Sequence, residues 1–215
     1  MDTTHGLPPK PDPRTGEPRP PRAPLSGDHA EPRQPYRERK VLQPPAGEGP
    51  ALEWHYGDRR MQRWMAGIIF GGLCIIATFK RGGLAWMAEW DIWVVFMGLA
   101  AVGYIVPLGH KISAGADWLN CRGGFVKTYE LTEIKVTPGG GGDPHIELFD
   151  QHGGSADTGM NLIQANQALW DLVYNGIRHS VANGATTNRL ARKWLRLDDP
   201  WPPRARSDRI GGPDT

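Results

Sequence analysis

The sequence predicts a membrane α-helical hairpin joined to a small α+β domain, an antiparallel strand meander closed by a long helix, behind a disordered proline-rich tail. Three observations predict it. Two uncharged apolar runs, residues 64–79 and 92–109, follow one another closely. Short apolar segments with a two-residue period and glycine punctuation then lead into one segment with helical spacing. Thirteen of the 20 prolines fall before Gly57. The averages for the 215-residue chain, 39% hydrophobic with a mean hydropathy of −0.47, hide this partition, because polar ends dilute two greasy runs.

Residues 1–57 read as a disordered tail. Lys and Arg balance Asp and Glu there, and Leu7, Leu25, Val41, Leu42 and Leu52 are too sparse to offset the entropy of ordering. The Pro21 to Pro24 spacing is the kind that docks in an aromatic groove, but so many prolines produce it by chance. No apolar stretch near Met1 suggests a cleavable signal peptide.

Residues 58–111 read as a two-helix transmembrane hairpin, with spans at about 64–79 and 92–109. The first run spans about 24 Å as a helix, short of a hydrocarbon core of about 30 Å. Snorkelling of Arg63 and Lys80 makes up the difference. Trp64, Trp86, Trp90 and Trp93 sit near the run ends and are expected at the membrane interface. Neither run has a polar face, so a hairpin buried in a water-soluble protein would need a larger domain than this chain supplies. Arg59, Arg60 and Arg63 before the first run favour both termini in the cytoplasm, that is, a multi-pass protein of the plasma (inner) membrane, although Lys80 and Arg81 oppose them. Gly67 and Gly71 form a GxxxG for helix packing, within the hairpin or in a homodimer. The spans lack the ionisable residue that transport or proton relay usually needs.

Residues 112–184 read as the α+β domain, with four or five strands up to Met160. Phe125, Tyr129 and Leu131 share one face of a single strand, and the glycines at 139–142 form a loop between strands. A helix from Leu162 to about Asn183 is expected, capped by Asn161 and stopped by Gly184. Residues 185–197 read as a basic amphipathic helix, with Arg189, Arg192, Lys193 and Arg196 around Leu190, Trp194, Leu195 and Leu197. Residues 198–215 read as a second disordered tail.

Two spans, a strand meander and one closing helix resemble small bacterial membrane proteins with a pleckstrin-homology-like cytoplasmic domain. The stretch Leu169, Trp170, Asp171, Leu172, Val173, Tyr174, Asn175, Gly176, Ile177, Arg178, His179, Ser180, Val181 is similar to uncharacterised actinobacterial two-pass proteins. The resemblance implies a PH-like fold and service to a membrane assembly, including one belonging to a mobile or conjugative element. About 49 residues of strand region fall short of the seven strands such a domain needs, so a shortened or different α+β fold is the alternative. No phosphoinositide-binding residues carry over.

The chemistry-bearing residues form no catalytic pattern. Cys74 and Cys121 give neither a disulfide framework nor a zinc quartet, and the seven histidines include no HExxH. His145 and His152 lie near Asp143, Glu147 and Asp150, an acidic loop that would hold a metal only weakly. No GK[ST] follows the glycines at 139–142, and no nucleophile elbow surrounds Ser113, Ser155 or Ser180. These readings point to no enzyme, no catalytic residues, no metal and no cofactor. A net charge of +2 overall, and an acidic strand region, argue against nucleic acid. The expected role is a membrane-bound scaffold or accessory subunit with a protein partner. The alternative is an anionic-lipid sensor, with Arg189, Arg192, Lys193, Trp194 and Arg196 as contacts for lipid or partner.

Overall fold

The computed structural model describes residues 6–25, 34–37, 41–56, 59–105, 111–122, 124–139 and 143–201, the side chains of 59–62 apart. Two compact units result: residues 56–111, and residues 1–55 together with 112–215.

In the first unit, α1 (Arg59–Arg81) is followed by a 3-10 turn (Ala85–Ala88) and α2 (Trp90–Ile105). Gly82 ends α1 in the left-handed region at φ +65°, where a side chain would be strained. Among the described residues one helix, Arg63–Arg81, is long and apolar enough to cross a membrane, and none of that stretch is buried; the described α2 has 16 residues and falls short. Residues 106–109 of the second expected span lie outside the described residues.

In the second unit, β1 (Glu53–Tyr56), β2 (Lys111–Ala114), β3 (Trp118–Cys121) and β4 (Gly124–Lys127) form one sheet in that order. β5 (Leu131–Pro138), β6 (Pro144–Asp150), β7 (Ser155–Gly159) and β8 (Thr186–Thr187) form another, ordered β7-β6-β5-β8. All described pairings are antiparallel except β5 with β8. Three helices, α3 (Met160–Gln164), α4 (Gln167–Ala182) and α5 (Arg189–Trp194), complete the unit. Leu119, Val126, Ile134, Ile146, Leu148, Leu169, Trp170 and Ile177 share one core, so strands and helices bury their apolar sides together.

The sheets contain more strands than expected. The run 125–131 is two strands, because Thr128–Glu130 turn: Glu130 N–H bonds to the Lys127 carbonyl at 3.2 Å and Thr128 N–H to that of Asp117 at 2.9 Å. The Asp150 carboxylate fixes the neighbouring turn by accepting N–H bonds from Lys127, His152 and Gly154. β1 was expected in the tail, yet it is the neighbour of β2. The chain between these two paired strands is the helical unit. Seven strands therefore precede α4.

The closing helix is also divided. Asn166, not Asn161, is the cap: its side chain accepts from Ala168 and Leu169 N–H at 3.0 and 3.3 Å, and α3 ends ahead of it. The same side chain donates to the Trp54 carbonyl at 3.0 Å, tying β1 to the start of α4. Gly184, at φ +100°, follows the helix as the sequence predicts.

The described part of residues 1–57 corrects the expectation of an unpacked tail. Pro11, Gly16, Pro20 and Ala23 are buried, and Leu7 and Leu25 pack against the core. Arg19 pairs at 3.2 Å with Glu53, itself buried. The entropy is offset through the backbone, whose carbonyls find donors on the domain. At the other end Trp201, expected in a disordered tail, is buried with its ring centroid 4.8 Å from that of Tyr174.

Candidate functional site

The apolar surface of the helical unit points outward. Phe79 is 83% exposed and Trp90 77%, with Trp64, Ile68, Ile75, Ile76, Val94, Met97 and Ile105 also exposed. A water-soluble protein rarely shows so much contiguous apolar surface. Arg63, at one end of the long stretch, and Lys80 and Arg81, at the other, are exposed. Arg81 pairs with Glu89.

The four tryptophans expected at the interface separate into two pairs. Trp64 and Trp90 are exposed. Trp86 is instead only 2% exposed, its ring 5.5 Å from Trp93 and 5.6 Å from Phe96. Its indole N–H is satisfied by the Thr78 hydroxyl at 3.1 Å, which in turn donates to the Cys74 carbonyl at 2.9 Å. Trp93 donates to the Met87 carbonyl at 3.0 Å and stacks toward Phe70. Trp86 and Trp93 therefore plug the turn between the helices, because an indole with an internal acceptor needs no water.

The expected packing glycines also separate from the packing surface. A Cβ at Gly67 or Gly71 would meet nothing within 4 Å, so neither lines the contact between α1 and α2. That role falls to Gly103, where a Cβ would come within 2.3 Å of Ile69 Cδ1.

The basic segment is a helix of six residues with a short turn beyond it. Asn188 caps it, accepting from Ala191 N–H at 2.7 Å, while exchanging bonds with the Val136 N–H and carbonyl at 3.2 and 2.8 Å. Ala191 and Leu195 are buried, whereas Leu190 and Trp194 are exposed, Trp194 by 38%. Arg189, Arg192, Lys193 and Arg196 are all exposed. Arg192 contacts Asp198 at 3.4 Å and Thr187 at 3.1 Å. Tyr174 and Arg178 of α4 hold the following turn, through the carbonyls of Leu195 at 2.7 Å and Leu197 at 3.0 Å. The surface thus offers two apolar side chains among cations, on a rigid base.

Among the described residues no group of three His, Cys, Asp or Glu side chains is arranged to hold a metal. His145 lies 3.3 Å from Asp157, and His152 lies 2.6 Å from Glu130, whose carboxyl it holds below the ordinary range. Neither Cys74 nor Cys121 is in a disulfide, and the Cys121 thiol lies 3.5 Å from the Gly124 carbonyl.

Sequence reasoning missed a line of polar residues on α4, Gln167, Asp171, Asn175 and His179. Their constant spacing of four was the available signal. No family model, curated protein or solved structure matches the chain.

Proposed function

We propose that this chain is a non-enzymatic integral membrane protein whose helical hairpin anchors a small interaction domain. The observation that carries this reading is the long apolar helix Arg63–Arg81, none of it buried, beside a second apolar helix with Trp90, Val94 and Ile105 exposed. Lipid is the solvent that such surfaces require. The hairpin is an insertion between paired strands β1 and β2, so the domain that it interrupts is tied to the bilayer by two chain crossings.

The domain's architecture supports a PH-like reading. One four-stranded sheet, three strands of a second and a closing helix account for the seven-strands-plus-helix plan, once β1 is counted from ahead of the hairpin. Arg59, Arg60 and Arg63, in the first turns of α1, support cytoplasmic termini. Such a protein serves a membrane assembly as scaffold or accessory subunit. Carbonate extraction of membranes tests the anchor: the full chain stays with the pellet, and its release to the supernatant refutes it. Reporter fusions at Gly83 and after Thr215 test the two crossings.

A lipid-sensing role for α5 is the second reading, favoured by the exposure of Leu190 and Trp194 among cations. Each cation near an anionic leaflet contributes about 1 kcal/mol. Hydrogen exchange of the full chain in nanodiscs tests it. Protection of residues 189–197 that depends on anionic lipid supports sensing, and protection that ignores lipid charge counts against it.

A further inference from the structure

Gln167, Asp171, Asn175 and His179 lie on one face of α4, and all four bind the backbone of the N-terminal segment. Asp171 accepts the Ala23 N–H at 2.7 Å, and Gln167 Nε2 donates to the Ala23 carbonyl at 3.1 Å. Asn175 Nδ2 reaches the Pro9 carbonyl at 3.4 Å, and His179 Nε2 lies 2.7 Å from that of Pro8. Trp170, on the same helix, donates its indole N–H to the Pro24 carbonyl at 2.9 Å.

The chemistry of these contacts is that of proline-rich peptide recognition. An extended proline-rich strand offers carbonyls without matching N–H groups, and loses little entropy on docking because its backbone is preformed. Aromatic rings flank the contacts: Tyr129 lies 5.1 Å from the His179 ring and donor distance, 2.8 Å, from Asn175 Nδ2. Lys10 of the segment sits over Tyr129 at 4.9 Å and pairs with Asp117 at 3.4 Å. Residues 6–25 contribute no strand to either sheet. Side chains of α4 read the main chain at its two ends, while Leu7, Ala23 and Leu25 pack against the core and Arg19 pairs with Glu53.

The site is not saturated by this occupant. Asn175 is 0% exposed, yet its Oδ1 has no hydrogen-bond partner, and Gln167 Oε1 is buried in the same condition. Proline has no N–H to give them. A buried acceptor without a donor is unfavourable, so a peptide that supplies one binds better.

We infer that this face of α4 is a binding site for proline-rich peptide folded back on itself, filled as an exchangeable occupant by residues 7–25 of the same chain, which reverse direction at the Asp12–Glu17 turn between the Pro8–Pro9 and Ala23–Pro24 contacts. The fitting ligand keeps carbonyls where Pro8, Pro9, Ala23 and Pro24 present theirs, and offers an N–H to Asn175. The site does not depend on the membrane anchor.

The test uses the full chain in detergent, with a protease recognition sequence inserted between residues 25 and 34. After cleavage the fluorescently labelled peptide 6–25 is added, and bound label is read by size exclusion and anisotropy. The labelled peptide is expected to replace the cut segment one for one. Asp171→Ala weakens its binding about tenfold, as expected for losing a charge-assisted hydrogen bond, while Asp171→Asn holds it. His179→Phe keeps the ring and loses the donor, giving a second weakened variant if Asp171→Ala does not fold. A cut segment that stays put against about a hundredfold excess of peptide, or a folded cut protein that takes up none, overturns the inference.

Discussion

Ala23 gives its backbone N–H to the carboxylate of Asp171 at 2.7 Å, across 148 residues of sequence. Burial pushes the Asp171 carboxyl above its ordinary 3.8, while this N–H, the Gln167 amide and the charge of Arg22 hold it back. Replacing Asp171 with Ala leaves the Ala23 N–H unmatched and is expected to lower stability by about 1–3 kcal/mol in thermal unfolding. Asp171→Asn keeps an acceptor and should retain most of it. The pH dependence has a definite sign. The folded state binds the proton more tightly, so this group's contribution to stability is largest below 3.8 and declines as pH rises through the folded value. Asp171→Asn should remove that decline in melts from pH 3 upward.

Asn188 joins two elements with one side chain. It caps α5 through Ala191 and holds β5 through both polar groups of Val136. A cap lost to alanine costs about 0.5–2 kcal/mol, and the Val136 groups lose their partners as well. Asn188→Ala should therefore lower stability by about 2–3 kcal/mol by chemical denaturation, whereas Asn188→Asp should restore the cap without the Val136 carbonyl's donor.

Much of this fold is legible in the chain, and the parts that are not share a cause. Apolar runs and the glycine after α4 rest on neighbours in sequence, where periodicity and capping rules operate. β1 is a four-residue strand whose partner lies beyond the hairpin, so nothing local distinguishes it from tail. The polar line on α4 is visible as a spacing, but an i+4 row of polar residues ordinarily faces water. Its partners stand 144 to 171 residues away and are read through carbonyls, which any sequence presents. Trp86 misleads for a similar reason: an aromatic at a helix end reads as interfacial until the Thr78 hydroxyl is found beside its N–H.

Close helix approach at Gly103, rather than at the GxxxG, is testable by crosslinking. A Cβ at Gly103 would lie 4.0 Å from the Ala66 Cα and 2.3 Å from Ile69 Cδ1. With Cys74 replaced by Ala, the pair Ala66→Cys and Gly103→Cys should crosslink within one chain. A single Gly67→Cys, facing open space in the monomer, should give no intramolecular product with Gly103→Cys. Equal yields from the two pairs would contradict the packing described.

Arg196 occupies a position that favours glycine. Leu197 N–H bonds to the Arg192 carbonyl at 3.1 Å and Arg196 N–H to that of Lys193 at 3.4 Å, the pair of bonds that ends a helix in a left-handed residue. Arg196 is that residue, at φ +48°. A side chain there costs about 1 kcal/mol relative to glycine, partly offset by the greater entropy glycine gives the unfolded chain. Arg196→Gly should raise the melting temperature by the equivalent of about 0.5 kcal/mol. The same change removes one exposed cation, so if α5 meets anionic lipid it should weaken that association by about 1 kcal/mol. Stability and lipid attachment would then move in opposite directions in one variant. A structural role alone would move only the first.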